Sequence, residues 1–273
     1  MTYNTLTLEV KNEVATLTLA RPERRNAISP EMMEDLQSAL NEIESGAARV
    51  VIVTGAGRDF CAGMDLSGLK SGAAAAKRDE KSAGSGAADA DPNTENARRV
   101  AAMFRRFYEF PKPLIAAVTG HAVAGGCGLA MLCDFTLAVP EAKFGFTEVR
   151  VGFMPALIAA FVLREIGEKR ARDLLLSGRV FGAEEARELG LVSEIVAPER
   201  LRDRALEIAA QCLALSPTSL QYTKRLIADY SRAQLDREIE LGIEWSARIR
   251  STADFQEGLS AFLEKRAPRW TGR

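Results

Sequence analysis

Alternating and continuous apolar runs predict a hairpin, a helix and a buried strand in the first third of the chain. The alternating runs Leu6–Val10 and Ala15–Ala20 flank a turn-like Lys11-Asn12 pair, which is typical of a hairpin. Ser29-Pro30 resembles an N-cap and first helical residue, and apolar residues recur after it at helical spacing. The β-branched run Val50–Thr54 predicts a strand covered on both faces.

The middle of the chain, residues 113–155, repeats this order around a glycine-rich loop. The apolar runs Leu114–Val118 and Phe135–Val139 lie on either side of Gly125–Gly128. A strand followed by a glycine turn and a helix brings unpaired backbone N–H groups together, which suits a developing negative charge. Residues 55–65 form a second such loop after Val50–Thr54. Each loop alone indicates close helix–strand packing, whereas two converging loops could hold one oxygen.

Residues 71–96 carry alanines as their only apolar side chains. Such a segment cannot bury enough surface to order itself, so we predict a mobile insertion, either an idle surface loop or a lid. A helical pattern resumes at Arg98. From Pro155 onwards the chain is mostly helical, with Gly167 and Gly178 as terminators and a strand-like Leu191–Val196. We place a boundary at Ala197-Pro198, which divides the chain into a core, 1–197, and a helical region, 198–273.

Glu148 is a lone carboxylate between apolar residues, and it is the candidate general acid or base. If its stretch is a strand, Arg150 lies on the same face, and an internal ion pair is the structural alternative. His121 stands at the mouth of the glycine loop. As the single histidine of the chain, it is expected to shape a pocket rather than to carry protons.

Composition narrows the function classes. The 273 residues have a net charge of -1, which gives no basic field for nucleic acid, and no apolar run reaches the roughly 18 residues of a membrane span. The first ten residues lack the pattern of a signal peptide. Four cysteines without zinc-like spacing and one histidine predict no metal site, and a reducing cytoplasm is the simplest location.

Several segments, in this order and spacing, resemble the enoyl-CoA hydratase/isomerase (crotonase) family over nearly the whole chain. They are Arg21-Pro22, Asn26-Ala27, Phe60–Asp65, Lys112–Gly120, Ala124–Ala130, Cys133-Asp134, Phe144-Gly145, Glu148, Glu257-Gly258 and Ala261–Arg266. The resemblance implies an α/β fold, a spiral of repeated ββα units followed by a C-terminal helical region that forms homotrimers, often paired into hexamers. It also implies an acyl-CoA substrate, with no cofactor beyond the CoA of the substrate itself.

The resemblance assigns roles to residues of both glycine loops. The N–H groups of Met64 and Gly125 match the pair that receives the thioester oxygen, and Glu148 matches a catalytic glutamate. The family's basic CoA-binding residue is Ser67 here, so we expect Lys70 or Arg24 to meet the CoA phosphates. The other residues implied in CoA binding are Ala62, Asp65, Phe262 and Lys265, the last two from a neighbouring subunit, and those implied in the pocket are His121, Gly128 and Pro155.

One departure from the family leaves two activities open. Hydratases of this family commonly use two glutamates, but the first position is Gly128 here, which leaves Glu148 alone. A single glutamate suits a Δ3,Δ2-enoyl-CoA isomerase. Yet Gly125–Leu129, Thr147–Arg150 and Met154–Ala156 look most like a hydratase branch linked to branched substrates such as 3-methylglutaconyl-CoA. We therefore predict an enoyl-CoA hydratase, with an isomerase and a non-catalytic CoA-ester-binding protein as alternatives.

Overall fold

The computed structural model describes residues 2–68 and 91–273. These residues are arranged around a sheet of six strands. In spatial order the strands are β1 (Leu6–Lys11), β2 (Val14–Leu19), β3 (Val50–Gly55), β4 (Leu114–Val118), β6 (Phe135–Ala138) and β9 (Glu194–Ile195). Within this sheet, the described strands β1 and β2 pair antiparallel, whereas β2, β3, β4, β6 and β9 run parallel. The predicted hairpin is confirmed, with its turn one residue later than expected, at Asn12 and Glu13, which both have positive φ.

A smaller sheet contains three strands of three residues each. They are β5 (His121–Val123), β7 (Lys143–Gly145) and β8 (Val180–Gly182), in the order β5-β7-β8. Strands β4 and β5 follow each other in the chain but lie in different sheets, as do β6 and β7. The chain thus passes from the main sheet to the smaller sheet after β4 and again after β6, as in the ββα spiral that the family resemblance implies.

The helices begin and end largely where caps and glycines place them. They are α1 (Pro30–Ser45), α2 (Pro92–Tyr108), α3 (Gly125–Met131), α4 (Ala156–Ser177), α5 (Ala183–Glu188), α6 (Leu201–Leu213), α7 (Pro217–Tyr230), α8 (Arg232–Arg250) and α9 (Ala253–Leu263). The Ser29 hydroxyl accepts a hydrogen bond from Met32 N–H and caps α1 as predicted. Helix α4 is interrupted at Gly167 and ends at Gly178, both with positive φ, so these two predicted terminators are confirmed.

Three boundaries differ from the prediction. Helix α2 begins at Pro92 because Asp91 accepts hydrogen bonds from the N–H groups of Asn93 and Thr94, so the end of the predicted insertion at 96 is wrong. The rest of that insertion, and Lys70, lie outside the described residues. Of the predicted strand Leu191–Val196, only β9 forms.

The C-terminal helices pack onto the rest of the protein. Helix α8 lies against α2 and α4, α6 covers β3 and β4, and α9 sits on the turn that carries Glu148. The hydrophobic core runs through the main sheet, α1, α2 and α4 into α6 and α8. The division at 197/198 remains a prediction. Within the described residues, the helices all fall short of the length and apolarity that crossing a membrane requires.

Candidate active site

The two glycine-rich loops predicted to converge do meet. A Cβ added at Gly63 would lie 2.8 Å from Ala124 Cβ and 3.3 Å from Gly125 N. A Cβ added at Gly125 would lie 3.7 Å from Met64 Sδ. Residues with ordinary side chains at 63 would therefore force the loops apart, which explains the requirement for glycine there.

The amides of Met64 and Gly125 lie outside the hydrogen bonds that hold their loops. Ile28 N–H donates to Gly63 O at 2.8 Å, and Asp65 N–H donates to Ile28 O at 2.9 Å, as in a parallel bridge. That pattern turns the N–H of the intervening Met64 away from Ile28. Gly125 is the first residue of α3, so its N–H has no acceptor within the helix. Both amides can therefore donate to a ligand oxygen.

Ala124 sets the direction of the Gly125 amide. Its φ of 49° and ψ of −126° form a conformation that glycine normally occupies. Its N–H donates to Gly145 O at 2.7 Å, which ties the start of α3 to β7. The opposite side is closed by Gly63. The backbone at the start of α3 is therefore held under strain by its neighbours.

Asn26 fixes the other loop. Its fully buried amide accepts from Arg21 N–H at 3.0 Å and donates to Ala56 O at 2.9 Å and Asp59 O at 2.8 Å. Arg21 also pairs with the Asp65 carboxylate at 3.0 Å. Asp65, predicted to bind CoA, thus contributes an internal tie to the loop that carries Met64.

Glu148 lies at the start of a 3₁₀ turn, Glu148–Val151, and not in a strand. Arg150 is consequently exposed, and the ion pairs of the described residues include none between Glu148 and Arg150, so the predicted alternative is wrong. The Glu148 residue is partly buried overall, but its Oε2 is closed off from solvent and lacks a hydrogen-bond partner within the described chain. Burial raises the pKa of Glu148 to about 7, although a hydrogen bond from its own backbone opposes the shift.

Helix α9 clamps the turn that carries Glu148. A Cβ at Gly152 would lie 2.4 Å from Asp254 O, and one at Gly258 would lie 2.3 Å from Val151 O. Phe153 and Phe255 add an aromatic contact with ring centroids 5.4 Å apart. The backbones of α9 and the turn therefore touch directly, and this contact limits how far the carboxyl group can move.

Gly128, which the resemblance matches to the first glutamate of the family, is surrounded by apolar atoms. A Cβ there would lie 2.8 Å from Ile158 Cδ1, 3.0 Å from Ile158 Cγ1 and 3.1 Å from Phe104 Cε1. Side chains of α4 and α2 thus occupy the space that a larger residue at 128 would need. The same Phe104 ring reaches Gly125, because its Cζ lies 3.6 Å from a Cβ added there.

His121 belongs to a charged cluster that the sequence reasoning missed. Its Nδ1 lies 2.7 Å from Asp59 Oδ1, which also accepts from His121 N–H at 3.0 Å, and Arg25 Nε donates to Asp59 Oδ2 at 2.8 Å. Burial alone would raise the pKa of Asp59, but the hydrogen bonds from Arg25 and His121 outweigh it and bring the pKa to about 2. Asp59 therefore stays ionised and anchors β5 to the loop before Met64.

The remaining sequence-predicted residues of the described chain differ in burial. Ala62 donates its N–H to Arg25 O at 3.0 Å, and Pro155 is buried at the N-cap of α4. Arg24, Phe262 and Lys265 are exposed, with Phe262 56% exposed at the end of α9. The assigned roles of these residues, and those of Met64, Gly125, Gly128, His121, Asp65 and Glu148, stay predictions.

Comparison with known proteins matches the whole chain. The family model described as enoyl-CoA hydratase/isomerase covers residues 9–273. A putative enoyl-CoA hydratase of Thermus thermophilus is 41% identical over 95% of this chain and 98% of its own length, and a 1,2-epoxyphenylacetyl-CoA isomerase of Escherichia coli is 36% identical over 97% of each. A solved enoyl-CoA hydratase from Mycobacterium avium is 32% identical with a TM-score of 0.82, covering 98% of this chain and 99% of that one. The chain therefore belongs to the crotonase family of enzymes.

Proposed function

We propose that this enzyme adds water reversibly across the α,β double bond of an enoyl-CoA thioester. The observation that carries the proposal is the Glu148 carboxyl group, whose Oε2 is closed off from solvent without a hydrogen-bond partner among the described residues and whose pKa is raised by burial to about 7. Membership of the crotonase family and the relatives named enoyl-CoA hydratase support it. A carboxyl group with this pKa can both accept and donate a proton near neutral pH.

The thioester oxygen would bind the amides of Met64 and Gly125. As the oxygen of water bonds to Cβ, the electrons of the double bond move towards the thioester oxygen and form an enolate. The two N–H groups stabilise that charge, each by roughly 3 kcal/mol in the transition state. The close approach of Gly63 to residues 124–125 supports this role, because it brings together the two loops that carry these amides.

Glu148 would move the proton. In its ionised form it takes a proton from the attacking water, and the hydroxyl group remains on Cβ. The enolate then collapses and takes that proton from Glu148 at Cα, which restores the carboxylate. One carboxyl group thus completes the addition, so the apolar surroundings of Gly128 do not prevent hydration.

A branched acyl group such as that of 3-methylglutaconyl-CoA is the narrower proposal. It rests on the resemblance of the segments around Gly125, Glu148 and Pro155 to a branched-chain hydratase group. We further propose that residues 1–197 form the catalytic core and 198–273 the oligomerising region of a homotrimer or hexamer. The exposed Phe262 would then contact CoA bound to a neighbouring subunit. Four free cysteines are consistent with a cytoplasmic location.

An isomerase acting on the same class of thioester is the second proposal. The observation that favours it is the crowding at Gly128, which leaves one carboxyl group to shuttle a proton between carbons. The relative named 1,2-epoxyphenylacetyl-CoA isomerase points the same way.

Mass spectrometry in ¹⁸O-labelled water separates these activities. A panel of 2-enoyl- and 3-enoyl-CoA esters is incubated with the protein. A hydratase converts a 2-enoyl ester to a product heavier by one labelled water, and that result is expected. Conversion of a 3-enoyl ester without label would instead identify an isomerase. Binding of the esters with no conversion of the panel would show a non-catalytic CoA-ester-binding protein.

A further inference from the structure

The end of helix α8 places a partly buried arginine beside the turn that carries Glu148. The Arg250 guanidinium stacks over the Phe153 ring at 5.2 Å, and Phe153 N–H donates to Glu148 O at 3.1 Å. Arg250 is therefore separated from the backbone of the Glu148 turn by one aromatic side chain.

This guanidinium has a neutral partner where a carboxylate would be expected. The Asn96 amide oxygen, oriented by its hydrogen bonds, accepts from the two terminal nitrogens of Arg250 at 2.9 and 2.7 Å. Arg250 Nε is closed off from solvent and has no acceptor in the part of the chain that the structure describes, and the ion pairs found there do not include Arg250. Burial lowers the pKa of Arg250, while the charge of Asp91 opposes the shift. Asp91 itself is engaged in capping α2.

Burial removes water from the Arg250 guanidinium, and the Asn96 amide oxygen replaces only part of the lost solvation. The C-terminal carbonyls of α8 supply some negative potential at its last residue. Each terminal nitrogen has a second N–H that Asn96 does not use. These N–H groups can meet a carboxylate, the group whose planar geometry matches a guanidinium.

Helix α2 connects this arginine to the place where the thioester would bind. Asn96, Val100 and Phe104 recur at every fourth residue and so share one face, and Phe104 lies beside Gly125 and Gly128. Eight residues of helix span about 12 Å, and the Phe104 ring leans towards the helix N-terminus, which shortens that distance. A five- or six-carbon acyl chain ending in a carboxylate, with one hydrogen bond of about 2.8 Å, spans roughly 8–9 Å.

We propose that Arg250 is a specificity-determining residue that binds a carboxylate at the far end of the acyl chain, so that the preferred substrates are CoA monoesters of dicarboxylic acids. The inference rests on the proposed function for its substrate class. It requires only that the acyl group binds along α2, and it therefore concerns binding independently of whether water is added or a double bond moves.

Two matched pairs of esters test the proposal. Saturated 3-methylglutaryl-CoA and isovaleryl-CoA differ in the terminal carboxylate and report binding by calorimetry. Unsaturated 3-methylglutaconyl-CoA and 3-methylcrotonyl-CoA differ in the same way and report turnover. In Arg250→Met we expect affinity and kcat/KM for the carboxylated member of each pair to fall about 10- to 100-fold, because a hydrogen-bonded charge pair is lost. The uncarboxylated member should change less than about twofold, within the range of an unaffected contact.

Arg248→Met is the matched control, because Arg248 lies two residues earlier on α8, is exposed and stacks on Trp245. It should leave both esters of each pair unchanged. Arg250→Lys keeps the positive charge but lacks the planar guanidinium, so affinity and kcat/KM should fall by an intermediate factor for the carboxylated esters alone. This variant also replaces Arg250→Met if that variant does not fold.

Equal losses on both members of a pair, or equal affinity of the unaltered protein for both saturated esters, would overturn the proposal and leave Arg250 as a support for Asn96 and Phe153. If 3-methylglutaryl-CoA binds through Arg250 but no enoyl ester gains water, the inference holds and the proposed hydration fails. If enoyl esters are hydrated without regard to the carboxylate, the proposed hydration holds and the inference fails.

Discussion

Gly128 in helix α3 and Glu148 in the 3₁₀ turn are the two positions that the family resemblance matches to glutamates, and their surroundings differ. At Gly128 the backbone is packed against Ile158 and Phe104, whose side chains crowd the space that a side chain there would need. At Glu148 a carboxyl group is present, buried, and without a partner at Oε2 in the described chain. In the proposed mechanism, the proton chemistry therefore falls on one carboxyl group, whose pKa is raised by burial.

The largest expected effect comes from removing that carboxyl group. Glu148→Gln should lower kcat/KM for the true enoyl-CoA substrate by about 10²- to 10⁴-fold, since an amide cannot exchange the proton. Binding of a saturated CoA ester should persist, because the amides of Met64 and Gly125 remain. Steady-state assays and calorimetry measure the two quantities, with the exposed Glu141→Gln as control. Normal turnover by Glu148→Gln would remove Glu148 from the mechanism.

The pH dependence of hydration should report the same group. In the proposed mechanism, ionised Glu148 accepts a proton from water, and burial raises its pKa to about 7. We expect kcat/KM to fall about tenfold for each pH unit below 7, to roughly one hundredth of its plateau at pH 5. Initial rates measured from pH 5 to 8.5 at low substrate concentration test this. A flat profile over that range would show that Glu148 does not act as the base.

The free energy of unfolding should fall as pH rises and Glu148 ionises. The pKa is about 7 in the folded protein against 4.5 for an ordinary glutamate, so the folded state holds the proton more tightly. The resulting stabilisation is complete below about pH 4.5 and is lost as pH rises through 7. Relative to the unaltered protein, Glu148→Gln should gain about 3 kcal/mol in free energy of unfolding between pH 4 and pH 8. Urea denaturation at both pH values tests it, and a pH-independent difference would contradict the shifted pKa.

The smallest effect concerns the packing at Gly128. Gly128→Ala should lower the free energy of unfolding by about 1 kcal/mol, because overpacking against Ile158 and Phe104 exceeds the gain in helix propensity. Ile158→Val removes the Cδ1 that lies 2.8 Å from the added Cβ. In that background, Gly128→Ala should be neutral or stabilising, with a coupling energy of about 1–2 kcal/mol by urea denaturation. Additive effects of the two changes would show that the site relaxes freely.

Much of the fold could be predicted because local signals and packing agree. Ser29, Gly167 and Gly178 mark helix ends where the structure has them, and Val50–Thr54 is the buried strand β3. The three-residue strands β5, β7 and β8 could not be predicted, since their pairing depends on how the chain coils and not on local periodicity. Asp91-Pro92 carried a helix-start signal that the alanine-rich composition around it obscured.

The convergence of the two glycine loops followed from the strand–loop–helix order of the sequence. The environment of Glu148 could not be predicted in this way, because the alternating apolar residues around it favoured a strand. In the structure Glu148 begins a 3₁₀ turn that packs against α9, and Arg150 is exposed. Asp59 and Arg250 were missed for a common reason. His121 lies 62 residues after Asp59 in the chain, and Arg250 lies 154 residues after Asn96. No local sequence pattern indicates pairs so far apart.

The backbone conformation of Ala124 lowers the stability of the fold and at the same time restricts the orientation of the peptide before Gly125. Its φ and ψ cost a residue with a Cβ about 1–3 kcal/mol, a cost that glycine at this position would avoid. Glycine, however, would free the peptide before Gly125 to rotate among several conformations and would enlarge the conformational freedom of the unfolded chain. The methyl group of Ala124 therefore restricts the orientation of one peptide plane at the expense of a less stable fold.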